Sequence, residues 1–91
     1  MKITHAKKRQ QQRGIPDIVL RWLSVFGRRQ YDGRGAVVRF FDRTARERLQ
    51  RSIGSDVFRG MHESLNAYAV YRVDGQLITV GHRYKRIRRG R

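Results

Sequence analysis

A chain of 91 residues with 38% hydrophobic content is long enough for one domain with one small core, and too short for a separate cofactor-binding half. It has no cysteine, which excludes disulfide scaffolds, zinc fingers, iron–sulfur clusters and thiol nucleophiles, and His5, His62 and His82 are too scattered for a structural metal site, so neither metal nor cofactor is expected. Lys+Arg is 22 against Asp+Glu 7, a formal charge of +15 that asks for a polyanionic partner.

The lysines are confined to Lys2, Lys7, Lys8 and Lys85, so the excess is arginine. Guanidinium presents a flat fork of donors that matches phosphate and stacks on bases, which points to nucleic acid, RNA ahead of DNA. A membrane is not expected as partner, because no apolar run approaches the roughly 18 residues of a span and no segment combines a lysine-rich face with a broad apolar one. The basic start leads into Gln10, Gln11 and Gln12 rather than into the apolar stretch of a secretion signal, so a cytoplasmic location is expected.

From Thr4 to Arg13 the pattern predicts a polar, basic helix with Thr4 as N-cap and Gly14 as stop. Pro16 and Asp17 suit the first turn of a second helix, in which Ile15, Val19, Trp22, Leu23 and Phe26 share a face up to Gly27. The two helices form a short hairpin whose Trp22 and Phe26 rings need a cover, for which a sheet is the natural choice. Tyr31 to Gly35 is turn chemistry, and the β-branched and aromatic run Ala36 to Phe41 reads as a strand that pairs with Arg28 to Tyr31. Thr44 and Glu47 form a capping box ahead of Ala45, Leu49 and Ile53, which predicts a third helix. Gly54-Ser55 reads as a break, after which Val57, Phe58, Met61 and Leu65 carry the apolar stripe onward. Ala67 to Val73 is a strand, Asp74-Gly75 a hairpin turn, and Gln76 to Ile87 its partner.

The order describes an α+β fold: an antiparallel sheet of three to four strands with helices packed on one face and the other face left for function. A single domain spans residues 1–87, followed by a basic tail over 88–91. Alternation in the last strand puts Ile78, Val80, His82, Tyr84 and Arg86 on one face, and Leu77, Thr79, Gly81, Arg83, Lys85 and Ile87 on the other.

Two residue sets stand out as chemistry. His5, Arg9 and Arg13 recur at i, i+4 and i+8, a row of cationic groups whose mutual repulsion is relieved if a phosphate backbone lies along it. The run from Gly81 to Arg91 adds cations around one aromatic ring, Tyr84, a pattern that offers phosphate ligands and a stacking surface together. Arg43, Arg46, Arg48 and Arg51 read instead as a solvated helix face paired through Glu47 and Arg51. Tyr31, Tyr68 and Tyr71 read as sheet and core aromatics, and His62 as surface. Metal-independent RNA cleavage needs a group to take the 2′-OH proton, a group to protonate the 5′-oxygen, and cations for the charge of the phosphorane. His5, His82 and Tyr84 are the candidate catalytic groups, with Arg9, Arg13, Arg83, Lys85 and Arg86 as nucleic-acid ligands. A lone histidine is more often structural than catalytic, so this assignment depends on the two chain ends meeting.

The opening Ile-Thr-His-Ala-Lys-Lys-Arg-Gln-Gln-Gln-Arg-Gly-Ile-Pro (Ile3 to Pro16) and the closing Leu-Ile-Thr-Val-Gly-His-Arg-Tyr-Lys-Arg-Ile (Leu77 to Ile87) resemble the His-Ala-x-x-Arg-x-x-x-Arg-Gly-Ile start and Ile-Thr-Val end of the domain of unknown function 4258 family. The resemblance covers both ends and leaves the middle unmatched. That family is grouped with RelE-like folds, among small ribonuclease toxins of bacterial toxin–antitoxin systems. It implies a RelE-like α+β domain, RNA cleavage, and an acidic antitoxin as protein partner, with His5, Arg9 and Arg13 in the opening motif and His82 just after the last core strand. The helical stretch Thr44 to Leu65 departs from the pattern, since a RelE-like sheet usually runs on through short turns. A non-catalytic nucleic-acid-binding module, regulatory or ribosome-associated, is the alternative from a different class, and an adaptor for an acidic protein is a third.

Overall fold

In the computed structural model, which describes residues 5–83, chain reversals at glycines separate the elements. Helix α1 (His5–Arg13) stops at Gly14, whose φ of 63° lies in the left-handed region that a side chain disfavours. Helix α2 (Asp17–Phe26) follows, with Pro16 as its extended N-cap residue and Gly27 closing it through a bond from its N–H to the Leu23 carbonyl. Strands β1 (Arg28–Tyr31) and β2 (Ala36–Phe40) form the first hairpin. Its turn is held by the Asp32 carboxylate, which accepts from the N–H groups of Arg34 at 2.6 Å and Ala36 at 3.0 Å. Those two bonds, led by the Arg34 N–H, hold the Asp32 carboxyl below the ordinary aspartate range.

Helix α3 (Arg43–Ile53) begins two residues earlier than the capping box predicts. Asp42 is its N-cap, accepting from the Ala45 N–H at 2.8 Å, because a carboxylate one turn ahead of Ala45 is a better anion for the helix start than the Thr44 hydroxyl. Glu47 pairs with Arg43 at 3.4 Å rather than with Arg51. The break at Gly54 is present, and α4 (Ser55–Gly60) and a 3₁₀ helix (His62–Asn66) lead to β3 (Ala67–Arg72) and β4 (Leu77–His82). The four strands lie in the order β1-β2-β3-β4, every neighbour antiparallel, so the chain makes an antiparallel meander with a helical excursion between its second and third strands.

Register decides the two faces. Arg29, Arg39, Ala69 and Val80 stand opposite one another across the sheet, and so do Arg28, Phe40, Tyr68 and Gly81 on the other side. The first set faces the helices. Val19 and Leu23 of α2, Ala45 and Leu49 of α3, and Leu65 form the core with Phe41, Ala67, Ala69 and Val80. Alanine at positions 67 and 69 leaves room for α2 to approach the sheet closely, which larger side chains would prevent. Phe26 is covered in part from α3, where the Arg48 guanidinium lies 5.9 Å from its ring centroid, so the sheet alone is not its cover.

The strict alternation expected in β4 is broken at its start. Val70 pairs with Thr79 but Tyr71 with Leu77, which makes Ile78 the extra residue of a bulge. Leu77 therefore packs against the core while Ile78 is 37% exposed, the reverse of the expected assignment. Val80 and His82 keep the face predicted for them, opposite Ala69 and Ala67. The expected Thr4 cap and the continuation of the last strand through Tyr84, Lys85, Arg86 and Ile87 lie outside the described residues.

Candidate nucleic-acid interface

Helix α1 packs along β4, the edge strand, so the two elements that carry most of the candidate residues are direct neighbours although they come from opposite ends of the chain. Ala6 and Gln10 form the inward stripe of α1. The row His5, Arg9, Arg13 lies on the flank beside that stripe, with His5 and Arg13 exposed and Arg9 half-buried. The Gln10 amide donates to the Asp17 carboxylate, and the Lys7 ammonium lies 3.7 Å from the same group, which joins α1 to the start of α2. The hydrogen bond from Gln10, and after it the charge of Lys7, hold the Asp17 carboxyl below its ordinary range. The nearby acid is thereby engaged, and among the described residues neither Arg9 nor Arg13 has an ion-pair partner.

At the end of β4, His82 is half-buried on the helix-covered side, opposite Ala67. Arg83 turns to the other side. Its N–H donates to the Asn66 carbonyl at 2.7 Å, its guanidinium donates to the Phe41 carbonyl at 3.0 Å, and the same guanidinium lies 4.7 Å over the Phe40 ring. Its Nε is buried with no hydrogen-bond partner. Burial holds this arginine below its ordinary range, the charge of Arg46 adds to that, and Asp42 partly offsets it. Of the predicted ligands, then, Arg83 is anchored at the fold's edge, whereas Arg9 and Arg13 stand on the α1 flank. Tyr84, Lys85 and Arg86 lie outside the described residues.

Three groups at this end of the sheet were not among the predicted ligands. Arg46 donates to the Phe41 carbonyl at 3.3 Å through Nε and to the Leu65 carbonyl at 3.2 Å, so it converges with Arg83 on one oxygen instead of standing on a solvated helix face. Arg28 pairs with Asp42 at 3.2 Å while remaining exposed. Tyr68, placed by sequence among the sheet and core aromatics, lies on the face opposite the helices. The face taken by Tyr68 follows from strand register, and the contacts of Arg46 and Arg28 from the way α3 and its Asp42 cap dock against the strand ends, neither of which the pattern within one element contains.

The acids are largely occupied. Asp32 holds a turn, Asp42 caps α3 and binds Arg28, Glu47 binds Arg43, Asp56 binds Arg59 at 2.6 Å, and Asp74 sits 3.6 Å from Arg72. What remains is a cationic surface able to hold phosphates by charge and by directed donors. Among the described residues, no group of three or more histidine, aspartate or glutamate side chains could hold a metal ion, and no helix is long and apolar enough to cross a membrane. Comparison with protein-family models, with characterised proteins and with solved structures finds no match to this chain. The class defined by the fold and its charge is an α+β protein with a four-stranded antiparallel meander and a strongly basic surface.

Proposed function

We propose that the protein binds RNA through the arginines of α1 and of the β4 end, and cleaves it without metal as a ribonuclease toxin of the RelE-like class that its terminal motifs resemble. The packing of α1 along β4 supports this reading best, since it makes neighbours of the elements bearing His5, Arg9 and Arg13 and those bearing His82 and Arg83. In this mechanism one of His5 and His82 takes the 2′-OH proton and the other protonates the departing 5′-oxygen, while guanidinium groups stabilise the charge of the phosphorane. An acidic antitoxin is the protein partner of this reading, competing with RNA for the same arginines.

The test is incubation of purified protein with RNA in a metal chelator. His5→Ala and His82→Ala are each expected to slow cleavage by about a hundredfold or more, the usual worth of a proton-transfer group. Cleavage at the wild-type rate in both variants overturns the assigned roles. With about six phosphate contacts, affinity should fall by roughly a thousandfold between about 50 and 200 mM salt.

The anchoring of Arg83 on Phe40 and the Phe41 carbonyl favours a second reading, a non-catalytic RNA-binding module, because that guanidinium builds a binding surface rather than a proton path. It predicts the same salt dependence with RNA recovered intact.

A further inference from the structure

We infer that Tyr68, with the Arg83 guanidinium beside it, is a stacking platform for an unpaired RNA base on the sheet face that α2 and α3 leave uncovered. The inference rests on the RNA-binding reading above and names the part of the nucleic acid that this face takes.

Register aligns Arg28, Phe40, Tyr68 and Gly81 in one row across all four strands, on the side away from Ala69 and Val80. Within that row the Tyr68 side chain reclines onto β4. A Cβ built on Gly81 would lie 2.8 Å from the Tyr68 Oη and 3.0 Å from Cε1 and Cζ, closer than carbon atoms tolerate. Gly81 is the residue that lets the phenol end of the ring lie down on the strand, and the ring stays half-exposed. Its neighbour in the row, Phe40, is only 3% exposed, and the Arg83 guanidinium lies over its ring. A ring and a guanidinium therefore lie side by side against the sheet, and both are groups on which a base stacks.

The charges around this surface fit the same ligand. Arg83 and Arg46 donate to one carbonyl, that of Phe41, which brings two guanidinium groups together at the edge of this surface, where a phosphate could bridge them. Arg28 stands exposed at the far end of the row. In a duplex the base faces are stacked on one another, so only an unpaired base can lie on a ring held against a sheet.

The experiment is fluorescence anisotropy with a labelled oligouridine and with an RNA duplex of equal length. Tyr68→Leu is expected to weaken oligouridine binding by about 5- to 150-fold, the worth of one stacked base, and to leave duplex binding unchanged. Tyr68→Phe keeps the ring and should bind as wild type does. Gly81→Ala meets only the far end of the Tyr68 side chain, so it should lift the ring, leave the circular-dichroism melting curve close to that of wild type, and weaken oligouridine binding selectively. If Tyr68→Leu and Gly81→Ala bind oligouridine as tightly as a wild-type protein that does bind RNA, the platform is overturned and the RNA-binding reading stands. If the wild-type protein binds neither RNA at low salt, the RNA-binding reading itself falls.

Discussion

Arg39 and Arg83 occupy opposite faces of one sheet and do superficially the same thing. Each donates to backbone carbonyls and lies over an aromatic ring, Arg39 at 5.8 Å from the Tyr71 centroid and Arg83 at 4.7 Å from that of Phe40. Arg39 reaches the Leu23 and Ser24 carbonyls in the last turn of α2, at 3.3 and 2.8 Å, sharing the first with the Gly27 N–H and meeting the negative end of the helix dipole. It completes the fold. Arg83 reaches a carbonyl that Arg46 also serves, keeps a buried Nε without a partner, and sits next to a like charge. The contrast separates a guanidinium that ties a strand to the end of a helix from one that shares its acceptor with a second arginine and keeps a buried donor unpaired.

The largest effect that can sharpen the difference between the faces is on stability. Phe41 is fully buried among the helices, and Phe41→Ala should cost about 3 to 5 kcal/mol in denaturant unfolding, whereas truncation of the half-exposed Tyr68 should cost far less. Equal losses at the two positions would mean that the second face is as closed as the first.

A matched pair of substitutions then tests the arginines themselves. Arg39→Met should lower stability by about 1 to 3 kcal/mol, since charge-assisted bonds to the end of α2 are lost, and leave RNA affinity unchanged. Arg83→Met keeps the packing over Phe40 and leaves Arg46 on the Phe41 carbonyl, so stability should hold within about 1 kcal/mol. The slope of log affinity for single-stranded RNA against log salt should fall by roughly 0.7, one phosphate contact. The reverse outcome, with Arg39→Met lowering affinity and Arg83→Met only stability, would exchange the roles.

The smallest effect concerns the turn of the first hairpin. The Asp32 carboxyl is depressed by the two N–H groups it accepts, so its contribution is complete above the ordinary aspartate range and is lost as pH falls through the lowered value. Wild type should therefore melt above Asp32→Asn at neutral pH, with the two melting temperatures converging in acid. A gap that persists in acid would assign the turn's stability to something other than this carboxylate.

Most of the elements were readable from local signals. Gly14, Gly54 and the pair Asp74-Gly75 mark reversals by the backbone conformations they permit, Gly27 marks a helix end by its lack of a side chain against the Leu23 carbonyl, and the spacing of Val19 and Leu23 marks a buried helix face, which burial confirms. Local signals failed where residues one or two apart in the chain compete for one role. Asp42 displaced Thr44 as the cap of α3, and the bulge at Ile78 exchanged the environments of Leu77 and Ile78. The candidate site was legible in its composition and in the row His5, Arg9, Arg13. The convergence of Arg46 with Arg83 and the recline of Tyr68 onto Gly81 were not, since each joins residues far apart in the chain.

By itself the sequence determined the fold class, the element order and the cationic character, because helix stops, turn residues and net charge are properties of short segments or of simple sums. Only the tertiary structure decided which strand neighbours α1, which arginines are held by the fold, and which aromatic ring lies on the uncovered face. Those outcomes depend on strand register and on long-range packing, where a shift of one residue moves every side chain to the opposite side of the sheet.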